Sequence, residues 1–134
     1  MTRMTGQTLG LGSLRFDAAY CLILGVAVAA AAGKIAGVIA LPESLLFATG
    51  GIVVVWAGLV FWMAGRVPMK IALRVVMGVN IVATALVAAT SVTAASWFVV
   101  AVVLAIAIEV GLFAVSQAVA IRRLAATDAG SRLA

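Results

Sequence analysis

Four apolar runs, each long enough to cross a lipid bilayer, occupy most of this 134-residue chain. They cover residues 16–40, 43–65, 68–90 and 96–124, and only short connections separate them. A helix needs about 20 apolar residues to cross a hydrocarbon core that is roughly 30 Å thick. Because lipid offers the backbone no hydrogen bonds, each run is expected to be a helix. The sequence therefore predicts an all-α membrane protein, with four transmembrane helices in an antiparallel bundle that forms a single domain, 1–134.

The composition excludes most soluble functions. The chain is 66% hydrophobic and 10% charged, whereas a soluble domain is about 25% charged. It has no histidine, which excludes His-ligated haem, His-based zinc sites and Ser-His-Asp catalysis. The formal net charge of +5 does not indicate nucleic-acid binding, because the basic residues lie at the ends of the apolar runs, beside lipid head groups. We therefore expect no enzymatic activity, no cofactor and no metal site.

Lysine and arginine are distributed unevenly among the connections. Eight of the nine lie in the N-terminal segment, the connection between the second and third runs, or the C-terminal end. The other two connections contain only Lys34. Since positive charge accumulates on the cytoplasmic side, both termini are expected to be cytoplasmic. This predicts a multi-pass protein of the cell inner (cytoplasmic) membrane.

Three polar side chains lie near the middle of their runs and predict a buried polar layer. Trp56 is central in the second run, Asn80 in the third and Glu109 in the fourth. Each is costly to expose to lipid, so each is expected to face the bundle interior and to reach the others. Thr84, one turn after Asn80, extends the same helix face.

Glu109 leaves three interpretations open, because an ionisable group at mid-depth is a candidate functional residue by default. It is either a neutral acid bonded to Asn80 or Trp56, or a carboxyl that exchanges a proton as cargo binds, or a contact between subunits. Gln117 does not lie on the same helix face as Glu109, and its side chain is expected to hydrogen-bond a neighbouring helix.

Asp17 and Arg74 suggest an ion pair. Both are expected near the cytoplasmic ends of their helices, where neither side chain favours contact with lipid alone. Pairing would hold Arg74 one turn inside the membrane. The alternative has Arg74 reaching phosphates and Asp17 facing water.

Small residues mark the expected helix–helix contacts. Four of them recur every four positions in the first run, and three glycines, at positions 51, 58 and 65, recur every seven positions in the second. Such stripes let backbones approach closely in lipid, although small residues are also common in membrane helices generally. The predicted packing residues are Gly25, Ala29, Gly33, Gly37, Gly51 and Gly58.

Short motifs give two resemblances. The start Leu14–Ala18, the stretch Gly78–Ala83 and the closing Gln117, Arg122 and Arg123 resemble small bacterial four-span integral membrane proteins without an assigned activity. The layout also resembles small multidrug-resistance transporters. Those proteins carry their membrane glutamate in the first helix, so the resemblance transfers no residue to this chain.

These observations favour a non-enzymatic membrane module that packs against itself or a larger complex. Its polar layer would be structural or would bind a small apolar molecule. The alternative is a proton-coupled transporter that uses Glu109 and is oligomeric, since four short helices rarely enclose a pathway. The expected partners are the lipid bilayer and further membrane subunits.

Overall fold

The computed structural model describes residues 5–133, which are almost entirely helical. Among the described residues, four helices are long and apolar enough to cross a membrane, and they pack antiparallel as predicted. The helices are α1 (Gly6–Ala30), α2 (Ala32–Ala36), α3 (Glu43–Arg66), α4 (Met69–Thr90) and α5 (Trp97–Leu133), with a 3₁₀ turn at Ser91–Thr93.

A capping threonine and two prolines mark the starts of three of these helices. The Thr5 hydroxyl oxygen accepts a hydrogen bond from the Thr8 backbone N–H at 3.2 Å, which caps the start of α1. Pro42 and Pro68 immediately precede α3 and α4. Because proline lacks an N–H and fixes its own φ, it is compatible with a helix start but not with a helix interior.

The first helix lies about ten residues earlier in the chain than the predicted 16–40 run. It begins at Gly6 because the Gly-rich segment before residue 16 packs closely against the rest of the bundle. A Cβ on Gly6 would lie 2.8 Å from the Leu124 backbone nitrogen, and one on Gly10 would lie 3.0 Å from the Leu73 side chain. The shift places Asp17 near the middle of α1 rather than near its end.

Helix α1 occupies the centre of the packing arrangement. It packs mainly against α3 on one side and α5 on another, while α4 packs mainly against α5. All four long helices contribute to one apolar core. Its completely buried members are Leu14, Val60, Ala72, Leu73, Val76 and Ala120.

The two charge-poor connections meet at one end of the bundle. The Ala40 N–H donates to the Thr93 carbonyl at 3.2 Å, and the Ala95 N–H donates to the Val38 carbonyl at 2.8 Å. These bonds form an isolated antiparallel bridge between Ile39 and Ala94. The α2–α3 and α4–α5 connections are thereby joined, so the ends of two helix pairs are held together.

Large apolar side chains cover the outside of the bundle. Phe16, Ile23, Ile52 and Val55 each expose more than two thirds of their surface. A surface of this kind is stable in lipid and not in water. The helices therefore imply contact with a lipid bilayer.

Candidate functional site

A cluster of three polar side chains lies inside the bundle, and we call Asp17, Asn80 and Gln117 the polar cluster. They come from α1, α4 and α5, and their exposed fractions are 1%, 2% and 0%. Polar groups buried so completely among apolar helices must hydrogen-bond to each other or incur a large desolvation cost. The polar cluster is therefore the candidate functional site.

The Asp17 carboxyl is the centre of this cluster. Its Oδ2 atom accepts a hydrogen bond from Asn80 Nδ2 at 2.6 Å and another from Gln117 Nε2 at 2.9 Å. Asn80 Nδ2 also approaches Gln117 Oε1 at 3.4 Å, which closes a three-membered ring of contacts. One carboxyl oxygen thus ties α4 and α5 to α1.

Two further contacts of α1 flank the polar cluster. The Cys21 thiol donates to the Asp17 Oδ1 atom at 3.5 Å, a weak bond that covers the second carboxyl oxygen. On the other side, the Ser13 and Ser116 hydroxyls bond each other at 2.6 Å between α1 and α5. One face of α1, at residues 13, 17 and 21, is therefore hydrogen-bonded along two helical turns.

Glu109 lies outside this cluster, although it was expected in the buried layer beside Asn80. Its side chain is exposed on the outer surface of α5, where Oε2 accepts a hydrogen bond from the Tyr20 hydroxyl. The inward face of α5 instead runs through Val110, Ala114 and Gln117, at helical spacing. Glu109 precedes Gln117 by eight residues, about 12 Å at 1.5 Å per residue, and at its own level it lies on the exposed side of α5.

Trp56 and Thr84, the other members of the expected layer, also lie apart from the polar cluster. Trp56 packs against the apolar core, and its indole N–H is buried without a hydrogen-bond partner among residues 5–133. The Thr84 hydroxyl donates to the Asn80 carbonyl of its own helix at 2.8 Å. Only Asn80 of the four expected residues therefore belongs to the interior cluster.

The structure separates Asp17 from Arg74. Asp17 faces the interior, whereas Arg74 is exposed on the outer side of α4 and makes no ion pair within the described part of the chain. The reason is the position of α1, which carries Asp17 to the level of Asn80. At that end of the bundle Lys70 pairs with Asp128.

The predicted packing residues fall into two groups. Gly25 and Ala29 meet Gly50 of α3, and we call these three residues the glycine seam. A Cβ on Gly50 would lie 2.6 Å from the Gly25 carbonyl oxygen and 2.6 Å from the Ala29 nitrogen. These distances are too short for any side chain, so the two backbones can approach this closely only because residue 50 is glycine.

The remaining predicted packing residues make no such contact. A Cβ on Gly33 would face the Glu43 carboxyl at 3.2 Å, and one on Gly37 would approach only the nearby Lys34 carbonyl. Gly51 and Gly58 face open space, with nothing within 4 Å of a Cβ. The stripe of glycines in α3 therefore lies on its outer side, and Gly50, which was not singled out, makes the close contact.

Two shallow clefts open on the outer surface. A cleft of about 310 Å³ between α4 and α5 is lined by apolar side chains and Thr84. Another, of about 280 Å³, lies between α1 and α5 beside Phe16, Phe113 and Ser116. Neither cleft is lined by a member of the polar cluster.

The chemistry available to these residues is limited. In the part of the chain that the structure describes, no three His, Cys, Asp or Glu side chains come close enough to hold a metal ion. Each amide of the polar cluster directs its N–H toward Asp17. The arrangement can therefore join helices, and it leaves few free donors for a ligand.

The sequence interpretation placed Asp17 elsewhere and did not single out Tyr20, whereas Gln117 bonds neighbouring helices as expected. A signal for Asp17 is present, since residues 10, 13, 17, 21 and 25 are small or polar and recur on one helix face. Their regular spacing marks the buried side of α1. Tyr20 has no comparable signal, because its bond depends on which helix is adjacent.

No protein family, no curated protein and no solved structure matches this chain. The four long apolar helices are those of a small four-span membrane protein, and they identify no family. The functional argument therefore depends on the geometry of the chain itself.

Proposed function

We propose that this protein is a non-enzymatic integral membrane module whose function is helix packing. The polar cluster holds α1, α4 and α5 in one register, and the resulting rigid unit associates with further membrane subunits. This proposal rests on the hydrogen bonds that Asp17 accepts from Asn80 and Gln117 inside the bundle. We further propose that both termini are cytoplasmic and that the protein resides in the inner membrane, since five basic residues lie toward the end of the bundle that holds both termini and only Lys34 lies at the other. These five are Arg66, Lys70, Arg122, Arg123 and Arg132.

The alternative use of a buried acid is transport, which requires a path and spare polar contacts. Here the Asp17 Oδ2 atom accepts two amide N–H groups, and its Oδ1 atom accepts the Cys21 thiol. The two surface clefts are lined by other residues. Groups engaged in this way support a structural role, in which a buried hydrogen bond fixes which helix faces meet.

Two substitutions of Asp17 test the proposed function. Asp17→Asn keeps a carbonyl oxygen that accepts both amide N–H groups, so we expect the fold and the subunit number to be retained. Asp17→Leu leaves both donors without that acceptor, so we expect a clear loss of stability. Native mass spectrometry from gentle detergent measures subunit number, and a denaturant titration measures unfolding. Equal stability of the Asp17→Leu variant and the unchanged protein would contradict the proposal.

A proton-coupled transporter that uses Glu109 is the second candidate, and one observation favours it. Glu109 is exposed beside the Tyr20 hydroxyl in the middle of an otherwise apolar helix surface. Liposomes that contain the protein and a pH-sensitive dye test this candidate. A proton flux that Glu109→Gln abolishes would support transport over packing, and no flux above that of empty liposomes would exclude it.

The cleft between α4 and α5 is the place we propose for a small apolar molecule. Gly111 and Thr84 border this cleft, and the absence of a side chain on Gly111 provides part of its volume. Gly111→Leu should fill this space. If gently purified protein retains a lipid or other apolar molecule there, the substitution will remove it in native mass spectra, whereas Gly78→Leu on the outer face of α4 will not.

A further inference from the structure

Two arginines lie at one end of the outer cleft between α4 and α5. Apolar side chains line this cleft, among them Met77 on α4 and Ala118 on α5. Arg74 precedes Met77 by three residues, and Arg122 follows Ala118 by four. Because residues three or four apart lie on one helix face, the two arginines continue the walls of the cleft toward the end of the bundle where α5 finishes. Both are exposed.

The two arginines lie at nearly the same depth. Asn80 Nδ2 approaches Gln117 Oε1 at 3.4 Å, and this contact shows how the antiparallel α4 and α5 are aligned. Arg74 is six residues before Asn80, about 9 Å along its helix, and Arg122 is five residues after Gln117, about 8 Å in the same direction. The axes of packed helices are about 8–10 Å apart, so two guanidinium groups at one depth can reach a single anion between them.

Both arginines lack an ion pair within residues 5–133. Each of the chain's four acidic residues is engaged elsewhere or is remote. Asp128 pairs with Lys70, and Asp17 accepts its hydrogen bonds inside the bundle. Glu109 is about 20 Å away along α5, and Glu43 begins α3 at the opposite end of the bundle. The mouth of the cleft therefore carries two positive charges without a counter-charge.

The length of the cleft matches one leaflet of a bilayer. Arg122 is 25 residues after Trp97, about 38 Å along α5. A bilayer is about 30 Å thick without its head groups and about 40–45 Å with them, so these two residues fit the two head-group levels. Gly111, at the far end of the cleft, is about 16 Å from Arg122 along the helix. The cleft therefore runs from head-group level to the middle of the membrane, as one acyl chain does.

We propose that this cleft binds an anionic phospholipid, with one acyl chain along the apolar walls and the phosphate between Arg74 and Arg122. Guanidinium groups bind phosphate through paired N–H donors, and basic pockets between membrane helices recognise anionic head groups. The proposal rests on the apolar site assigned to this cleft above, and it adds the chemical class of the ligand.

A second copy of the chain fits this surface poorly. Two copies inserted in the same direction carry Arg74 and Arg122 at the same depth, so a two-fold axis at the cleft would bring like charges together. A helix of another protein would have to bring a carboxylate to this depth. Lipid phosphates are already present there along the whole membrane, so the bilayer itself supplies the occupant.

Native mass spectrometry in gentle detergent tests the proposal, with phosphatidylglycerol and phosphatidylcholine of the same acyl chains as probes. We expect phosphatidylglycerol to bind about 25-fold more tightly, because each arginine contributes about fivefold toward an anionic lipid. Arg74→Gln and Arg122→Gln should each weaken phosphatidylglycerol binding about fivefold, and the double variant should remove the preference. Binding of phosphatidylcholine should change little.

The matched control removes two other exposed arginines. Arg15 on α1 and Arg132 near the end of α5 are exposed and line neither of the two clefts. Arg15→Gln combined with Arg132→Gln lowers the net charge equally, yet it should weaken phosphatidylglycerol binding less than about twofold, since distant exposed charges are screened. Unfolding midpoints verify that every variant remains folded.

Photo-cross-linking locates the bound lipid. Phosphatidylglycerol with a diazirine on its acyl chain should label Met77 and Val115 in the cleft, and Ile52, exposed on α3, should remain unlabelled. Excess inorganic phosphate should displace little of the lipid, because a free anion makes no contact with the apolar walls. Gly111→Leu should weaken phosphatidylglycerol binding, whereas Gly78→Leu should not.

Four outcomes would overturn the inference. They are equal affinity for the two lipids, unchanged phosphatidylglycerol binding in the double arginine variant, an equal loss in the Arg15 and Arg132 control, and ready displacement of the lipid by inorganic phosphate. An apolar molecule that Gly111→Leu removes and the double arginine variant retains would leave the apolar site standing without its anionic head group. The Asp17 variants test the packing function separately, because they act on the interior of the bundle.

Discussion

Asp17 and Glu109 are both acidic residues on membrane-length helices, yet one side chain is buried and the other is exposed. Asp17 is 1% exposed and accepts hydrogen bonds from two amides on other helices. Glu109 lies on the outer surface and is bonded to one tyrosine. The difference lies in what surrounds each side chain: Asp17 faces α4 and α5, whereas Glu109 lies on the exposed side of α5, about 12 Å along that helix from Gln117.

The same contrast appears between two adjacent glycines of α3. Gly50 touches the α1 backbone in the glycine seam, whereas Gly51 faces open space. Successive helix residues are rotated by about 100°, at 3.6 residues per turn, so neighbours in sequence have different surroundings. Inside and outside are therefore distinguished residue by residue, which allows matched substitutions to test the comparison.

The largest expected effect is at the glycine seam. Gly50→Leu should cost about 3 kcal/mol of unfolding free energy, because its side chain would collide with the α1 backbone. Gly51→Leu, the matched control, should change stability by less than about 0.5 kcal/mol, as outer-surface substitutions do. Reversible unfolding in mixed micelles, followed by circular dichroism, measures both. Equal costs for the two variants would remove the distinction between the inner and outer sides of α3.

The polar cluster should give the next largest effect. Asn80→Leu removes the donor that bonds Asp17 at 2.6 Å and leaves a buried acceptor less satisfied, at a cost of about 2 kcal/mol. Thr84→Val is the control, because its hydroxyl bonds only its own helix. The same unfolding titration applies. If Thr84→Val proves the more destabilising of the two, the interior position of Asn80 is in doubt.

A double-mutant cycle on Ser13 and Ser116 tests the contact between α1 and α5 at the edge of the polar cluster. Their hydroxyls bond between α1 and α5, so the cycle with alanine at each position should give a coupling of about 0.6 kcal/mol. Both hydroxyls lie beside the polar cluster, but neither bonds it directly. A coupling of zero would mean that these two helices are not in the register described here.

Trp56 should show the smallest effect, because its indole N–H has no partner within the described residues. Trp56→Phe removes this unsatisfied donor and some apolar contact, two changes that act in opposite directions. We expect unfolding free energy to change by less than about 0.5 kcal/mol. A loss near 2 kcal/mol would reveal a hydrogen bond of the kind the sequence interpretation assigned to this side chain.

The sequence predicts the helices well because length and apolarity dominate in a membrane. Helices α3 and α4 lie within one residue of the predicted 43–65 and 68–90 at each end, and Pro42 and Pro68 mark where they start. The first helix is displaced because glycines before residue 16 resemble a loop in composition but pack closely in the bundle. The composition of this segment does not indicate that its glycines pack against other helices.

The candidate site was only partly predictable for a different reason. Counting residues from the helix ends gives the depth of Asn80 and Glu109, but it does not say which helices are neighbours. Helix α5 places Gln117 against α1 and α4, whereas Glu109, about 12 Å earlier along the same helix, lies on its exposed side. Asn80 was predicted to face the interior, and it does, whereas its bonds to Asp17 and Gln117 depend on tertiary packing.

One solid-state NMR measurement tests the central comparison most directly. Dipolar couplings in lipid bilayers would be recorded between ¹³C-labelled carboxyl groups and the ¹⁵N-labelled side-chain amides of asparagine and glutamine. The structure predicts that the Asp17 carboxyl couples to the amides of Asn80 and Gln117 and that the Glu109 carboxyl couples to neither. Asp17→Leu should abolish these couplings and Glu109→Leu should preserve them. A strong coupling between the Glu109 carboxyl and the Asn80 amide would contradict the account.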